Sequence, residues 1–160
     1  MSINIRFAEP SDLKLVRQLD PHSKYIDPKK IGQKLAANEI IIVLDDTKPV
    51  GLIKFSYFWA TRPYMDLIWL KEQYRSKGIG KQLLSFLEDY LVSEGHLYLM
   101  TSSEKDEPAP QNWHRSQGFT PCGELASLNL PMKDVAEVFF YKKLTDVKKE
   151  DEKLREYPII

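Results

Sequence analysis

The run Arg75-Ser76-Lys77-Gly78-Ile79-Gly80-Lys81 carries the clearest capacity for chemistry in this sequence. A helix start exposes unpaired backbone N–H groups with partial positive charge, and acidic side chains usually occupy the first turn to offset it. Here no Asp or Glu occurs from Arg75 through Leu87, while Arg75, Lys77 and Lys81 add positive charge. An external anion such as a pyrophosphate would complete the site. Gly78 and Gly80 lack a Cβ, so oxygens can approach the backbone and the loop can take dihedrals closed to other residues. A plain strand-to-helix turn with solvated basic residues is the competing reading. A dinucleotide fingerprint is excluded because Leu83 stands three residues beyond Gly80, and a P-loop because Gln82 follows Lys81.

Such a loop works only between a strand and a helix, and the flanking patterns supply both. Tyr64 to Leu70 reads as a strand, and from Ile79 the apolar residues 79, 83, 84, 87 and 91 form one helical stripe that Gly95 ends. Upstream, Ile3, Ile5 and Phe7 alternate as a strand. Glu9-Pro10-Ser11-Asp12 then makes a turn and cap for a helix with Leu13, Leu15, Val16 and Leu19, which Asp20-Pro21-His22 breaks. A short helix with Ile31 and Leu35 follows Pro28, and Ile40 to Leu44 is a β-branched run typical of a buried strand. After a turn at 45–49, Val50 to Phe58 forms a strand. Downstream, Leu97 to Thr101 is a strand, Pro108 to Gln117 a short helix ended by Gly118, and 119–123 and 137–144 are closing strands. The order predicts one α/β domain with a mixed sheet over residues 1–144. The segment 145–160, dominated by Lys, Asp and Glu, reads as a charged tail or solvated helix.

Composition narrows the partners. Lys plus Arg (23) balances Asp plus Glu (23), which argues against a domain-wide grip on nucleic acid or membrane. No segment approaches the roughly 18 apolar residues of a membrane span, and residues 1–7 do not read as a secretory signal. Cys122 is the only cysteine, which fits a reducing, cytoplasmic setting and leaves no partner for a nucleophile. Three distant histidines offer no metal spacing, so no metal is expected.

Two motifs together resemble the GNAT superfamily of N-acetyltransferases. Tyr74-Arg75-Ser76-Lys77-Gly78-Ile79-Gly80 is similar to that family's aromatic-Arg-x-x-Gly-x-Gly loop, and Trp113-His114-Arg115-Ser116-Gln117-Gly118-Phe119 to its second motif. The opening phrase from Ile5-Arg6 to Asp12 extends the resemblance, which spans about residues 3–144. It implies a mixed, mostly antiparallel sheet of six to seven strands flanked by about four helices and splayed between the fourth and fifth strands. It further implies acetyl-CoA as cosubstrate, with its pyrophosphate on residues 75–81. The pantetheine arm would lie as an extra strand beside main-chain groups of Leu70 and Lys71, near Thr101.

Acetyl transfer to an amine needs a neutral nucleophile and a proton for the departing thiolate. Many members of the family use a tyrosine as that acid, and His114 stands at the matching position; imidazole donates protons near neutrality. The asparagine that the family often carries ahead of this helix is missing from Asp106-Glu107-Pro108-Ala109-Pro110. Asp66 is the best acid for a general base, since a carboxylate in an apolar strand invites a raised pKa or a charged substrate amine. His22 lies where the family builds its acceptor pocket. Trp59, Trp69, Tyr57, Phe58 and Tyr64 either wall an acceptor site or serve the core. The expected partner is an amine-bearing small molecule or peptide, with the oligomeric state open and a homodimer among the options. A CoA-binding module that has lost catalysis is the alternative reading.

Overall fold

The computed structural model describes residues 1–146 of the 160-residue chain. Strands β1 (Ile3–Phe7), β2 (Ile40–Asp45), β3 (Lys48–Phe58), β4 (Arg62–Leu70), β5 (Tyr98–Glu104), β6 (Thr120–Leu125) and β7 (Glu137–Lys143) form one sheet in the order β1-β2-β3-β4-β5-β7-β6. Only β4 and β5 pair in parallel. Helices α1 (Leu13–Leu19), α2 (Pro28–Ala36), α3 (Ile79–Ser93) and α4 (Pro108–Ser116) complete the expected mixed architecture. The charged segment at the end of the chain lies, from residue 147 on, outside the described residues. Among the described residues no helix is long and apolar enough to cross a membrane.

Two apolar layers sandwich the sheet. On one face the α3 stripe of Ile79, Leu83, Leu84, Leu87 and Leu91 buries against Ile41, Val43, Ile53, Phe55, Met65 and Leu99. On the other, Val16 and Leu19 of α1 and Ile31 and Leu35 of α2 cover Ile40, Ile42, Leu44 and Leu52. Because β2 is covered on both faces, its run Ile40–Leu44 is continuously apolar rather than alternating.

The N-terminal phrase has a mechanical role. Arg6 Nη1 and Nη2 donate to the two carboxylate oxygens of Asp12 at 2.7 and 3.1 Å, and Asp12 Oδ2 also accepts the Glu9 N–H at 2.7 Å. The guanidinium holds the Asp12 carboxyl below the usual carboxylate range. Ala8, 1% exposed, lets the chain turn tightly against the sheet between them. The start of α1 is thereby tied to β1. Pro28 at the first turn of α2 and the Asp27 side chain, which accepts the Lys29 N–H at 2.9 Å, set the start of the second helix.

One charge pair sits inside the α1/α2 layer. Lys54 Nζ lies 2.5 Å from Asp20 Oδ2, with side-chain exposures of 7% and 0%. Asp20 Oδ1 accepts the His22 N–H at 2.8 Å, so this pair fixes the loop after α1 onto β3. Removing one partner strands the other in an apolar layer. Lys54→Met alone is expected to cost about 3–5 kcal/mol. The double variant Lys54→Met/Asp20→Leu recovers most of it in urea denaturation.

Candidate active site

The sheet opens at its centre. β4 and β5 pair only at Tyr64↔Met100 and Met65↔Thr101. Buried Thr101 closes the last rung by donating from Oγ1 to the Met65 carbonyl at 3.1 Å. Directly after it comes a bulge: Met65 opposes Phe55 and Leu67 opposes Lys54, leaving Asp66 as an extra residue on β4. The bulge bends β4 away from β5 and reverses its faces, so Ile68 and Leu70 pack toward α3 whereas Leu67 and Trp69 pack toward α1 and α2.

Beyond the bulge one edge of β4 is bare. The Lys71 N–H is spent on the Val50 carbonyl at 2.9 Å, toward β3. Alternation along an antiparallel ladder then turns the main-chain groups of Leu70 and Ile68 toward the opening. Arg75 Nε, which donates to the Leu70 carbonyl at 2.9 Å, fits that orientation. Of the two residues expected to present main-chain groups there, Leu70 does so, while the Lys71 amide is locked in the sheet. Gly51, opposite Leu70, has no room for a Cβ, which would meet Leu70 Cδ2 at 2.4 Å and the Trp69 carbonyl at 2.5 Å.

The opening leads to the start of α3. Gly78 caps the helix with φ 77° in the left-handed region, and no side chain caps it. The Gln82 N–H is bonded to the Gly78 carbonyl at 3.1 Å, which leaves the amides of Ile79, Gly80 and Lys81 ahead of it without i−4 partners. No acidic residue lies in the first turn. Arg75, Ser76, Lys77, Gly78 and Lys81 are exposed, and Ile79 is buried as the anchor. Tyr74 ties the loop to β2 through a 3.0 Å bond to Asp45 Oδ2, and Lys77 Nζ lies 5.9 Å from the Tyr74 ring centre. A Cβ on Gly80 would point between Trp113 and Leu70, at 3.5 and 3.6 Å, so this glycine keeps the passage from β4 to α4 clear. A groove of about 390 Å³ continues from Lys81 between α3 and α4, past Ser85, Gln117 and Lys142.

His114 is not the surface residue that a short helix suggests. Its side chain is buried, and the ring packs among Trp113, Phe119 and Phe140 with centroid distances of 5.4 to 5.7 Å. Burial pushes its pKa down to about 4, only partly opposed by the Ser102 backbone, so the imidazole is neutral at physiological pH. Its Nδ1 atom is buried without a hydrogen-bond partner.

Asp66 does not stand alone in an apolar strand either. Its Oδ1 accepts from Ser56 Oγ at 2.5 Å and its Oδ2 lies 3.2 Å from Lys34 Nζ of α2. Lys34 also meets Glu39 Oε2 at 3.0 Å and donates to the Phe55 carbonyl at 2.6 Å. His22 is exposed in the loop after α1, and Cys122 is exposed at a bulge of β6. The aromatic residues divide: Tyr57 packs toward α3 and Trp69 toward α1 and α2, whereas Phe58 and Tyr64 meet edge to face with ring centroids 4.9 Å apart, on the sheet face that strand alternation sets opposite Phe55 and Met65. Trp59, 78% exposed, borders a second hollow of about 290 Å³ with Phe58, Arg62, Met100 and Phe139. Trp113 as a wall of the passage was not legible in sequence beyond its place in an aromatic motif. Among the described residues no group of three or more His, Cys, Asp or Glu is placed to hold a metal.

Comparison with known proteins agrees with this geometry. Residues 9–119 match the acetyltransferase (GNAT) family model. No curated sequence matches the chain significantly. Among solved structures, Ard1 from Thermoplasma volcanium superposes with a TM-score of 0.78 at 16% identity, covering 91% of this chain and 100% of that one. YncA from Salmonella typhimurium, solved with its cofactor acetyl-CoA, gives 0.76 at 18% identity over 92% and 97% of the two chains. The PaiA N-acetyltransferase from Thermoplasma acidophilum, in complex with coenzyme A, gives 0.74 at 17% over 89% and 99%. With the family model covering more than half of the chain and the parted β4–β5 pair leading to a bare helix start, the chain belongs to the GNAT acetyltransferase family.

Proposed function

We propose that this protein moves an acetyl group from acetyl-CoA directly to a primary amine. The observation that carries the reading is the bare edge of β4 after Met65, leading to the uncapped start of α3. When bound, acetyl-CoA supplies an activated thioester carbonyl. The amides of residues 79–81, with Arg75, Ser76, Lys77 and Lys81 around them, would hold the pyrophosphate. Main-chain groups of Leu70 and Ile68 would pair with the pantetheine amides as a neighbouring strand would. Trp113, Leu70 and Gly80 bound the passage, and Gly80 leaves it open.

The acceptor would approach from the α1/α2 side, where Asp66 supplies a negative charge. Because Lys34 and Ser56 engage Asp66, it acts first as an anion for an incoming ammonium and as a base only once Lys34 is displaced. Neutral His114 has a single N–H, which it can offer to the departing sulfur only by giving up the Ser102 backbone. As a proton donor it is far from the ideal of a pKa near the working pH. That observation also favours a second reading, a CoA-binding module of weak catalytic power.

Acetyl-CoA at a hundred times its Kd is expected to stabilise the fold by about 2.7 kcal/mol, seen as a dose-dependent rise in Tm. Gly80→Asp, whose Cβ the fold accommodates, should abolish that rise and leave the unliganded Tm close to wild type; an unchanged rise removes the loop from the site. Thiol release over a panel of amines separates the two readings. Silence of the wild type together with activity created by His114→Tyr selects the module.

His114 also gives a signed pH dependence. Folding disfavours its imidazolium, so the unfolded chain binds the proton more tightly. The stabilising contribution is complete above pH 6.5 and fades as pH falls toward about 4. The loss is about 3 kcal/mol across that window. Urea denaturation from pH 7 to 4 should show this slope in wild type and its removal in His114→Gln.

A further inference from the structure

A chain of hydrogen bonds crosses the mouth of the opening on the side of the α1/α2 layer, and none of its members belongs to the loop or to α4. The Tyr64 hydroxyl lies 2.5 Å from Ser102 Oγ, and Ser102 Oγ donates to Glu137 Oε1 at 2.5 Å. Ser102 has one proton, which Glu137 receives, so Tyr64 must be the donor to Ser102. Glu137 Oε2 is held at 3.0 Å by Asn129 Nδ2, which also bonds the Val135 carbonyl at 3.2 Å. Three strands, β4, β5 and β7, thus each contribute one member, and the hydroxyl protons run from Tyr64 to Ser102 to Glu137.

Position and charge set this chain apart from its neighbours. Tyr64 and Ser102 flank the last rung, Met65↔Thr101, on the edge where β4 and β5 part. Lys34 pairs with Asp66 on β4 as well as with Glu39, and Lys133 of the β6–β7 loop pairs with Asp106 and with Glu104, which opposes Glu137 in register. Glu137 is bonded only by the neutral groups Ser102 and Asn129, and among the described residues it has no ion-pair partner. Its charge remains for a cation from outside. From β6, Leu125 opposes it, and Arg62 on β4 stands two residues before Tyr64. Burial and the nearby carboxylates of Glu137 and Asp66 raise the Tyr64 pKa, so the phenol stays protonated and conducts a proton without ionising.

The geometry points to Tyr64–Ser102–Glu137 as the path by which the acceptor's ammonium loses its proton. It rests on the acetyl-transfer reading above. The ammonium hydrogen bonds to the Tyr64 oxygen. One N–H bond then breaks as the proton passes to Tyr64, the Tyr64 proton to Ser102 and the Ser102 proton to Glu137. The products are a free amine, its lone pair restored for attack, and a neutral Glu137 carboxylic acid. Tyr64 is the member that touches substrate; Ser102 and Glu137 act through it.

The test uses the full chain with acetyl-CoA and, as acceptor probes, spermidine, free lysine and a short peptide with an unblocked N-terminus. Glu137→Gln, Ser102→Ala and Tyr64→Phe should keep the Tm rise with acetyl-CoA. Their kcat/KM at pH 7 should fall on the order of 100-fold. The deficit should shrink as pH rises and the probe amine deprotonates in solution. In the protein without ligand, a slowly exchanging hydroxyl proton at low field in the NMR spectrum should vanish in each variant. Rates within a few-fold of wild type at all pH values, a deficit that does not vary with pH, or the absence of that resonance in wild type each overturn the path while leaving acetyl transfer intact. A wild type silent toward every probe overturns the acetyl-transfer reading and the path with it.

Discussion

Parallel pairing between β4 and β5 ends after two rungs, and the rest of the site follows from that ending. The Thr101 hydroxyl on the Met65 carbonyl holds the strands together up to the point of separation, and the extra residue Asp66 bends β4 away immediately beyond it. A buried strand edge ordinarily costs the desolvation of its unpaired N–H and C=O groups. Here the cost is limited because Arg75 covers the Leu70 carbonyl and because an extended ligand can supply the remaining partners. On the proposed reading, a donor lying against α3 and α4 and an acceptor arriving beside α1 and α2 would meet at this parting without sharing an entrance.

Left-handed backbone marks the loop ahead of α3 and the β3–β4 turn, as it does several other turns of the chain. Ser76 and Gly78 take positive φ values of 57° and 77° within three residues, and the β3–β4 turn does so at Trp59 and Ala60 with 50° and 60°. Non-glycine residues in that region carry a conformational cost that the surrounding structure must sustain. The support is visible on either side. Ile79, 1% exposed, anchors the first turn of α3 in the core, and Tyr74 fastens the loop to the end of β2 through Asp45. A loop whose amides stay unpaired relies on such fastening, since it lacks the usual side-chain cap.

Much of this was legible in sequence where the signal is local. The α3 stripe, the double-faced run of β2 and the absence of acids from 75 to 87 each depend on neighbours within a few turns, and all three appear in the fold as periodicity requires. The bulge was not legible, because one extra residue in Tyr64–Leu70 changes which face each later side chain takes without changing composition. The surroundings of His114 were hidden for a related reason: its burial depends on Phe140, which β7 brings against α4 from 26 residues away along the chain. Asp66 looked isolated because its partners Lys34 and Ser56 come from α2 and β3. Tyr64, Ser102 and Glu137 are 38 and 35 residues apart in sequence, and only the strand order β4-β5-β7 aligns them.

A net charge of zero conceals a separation of charge across this opening. On the α3 side, three cations surround a bare helix start, and the groove that Lys81 borders holds no acid before Glu88, whose carboxylate Lys142 already pairs at 2.6 Å. On the α1/α2 side, Asp66, Glu104 and Glu137 gather around Tyr64 and Ser102, and the lysines that pair with two of the three are each shared with a further carboxylate, Glu39 or Asp106. Fields of opposite sign a strand apart favour an anionic donor on one side and a cationic acceptor on the other. On the proposed reading, main-chain donors would grip the first and tolerate many side chains. Individual side chains would read the second, so specificity for the proposed amine would reside in the part of the molecule that sequence spacing describes least.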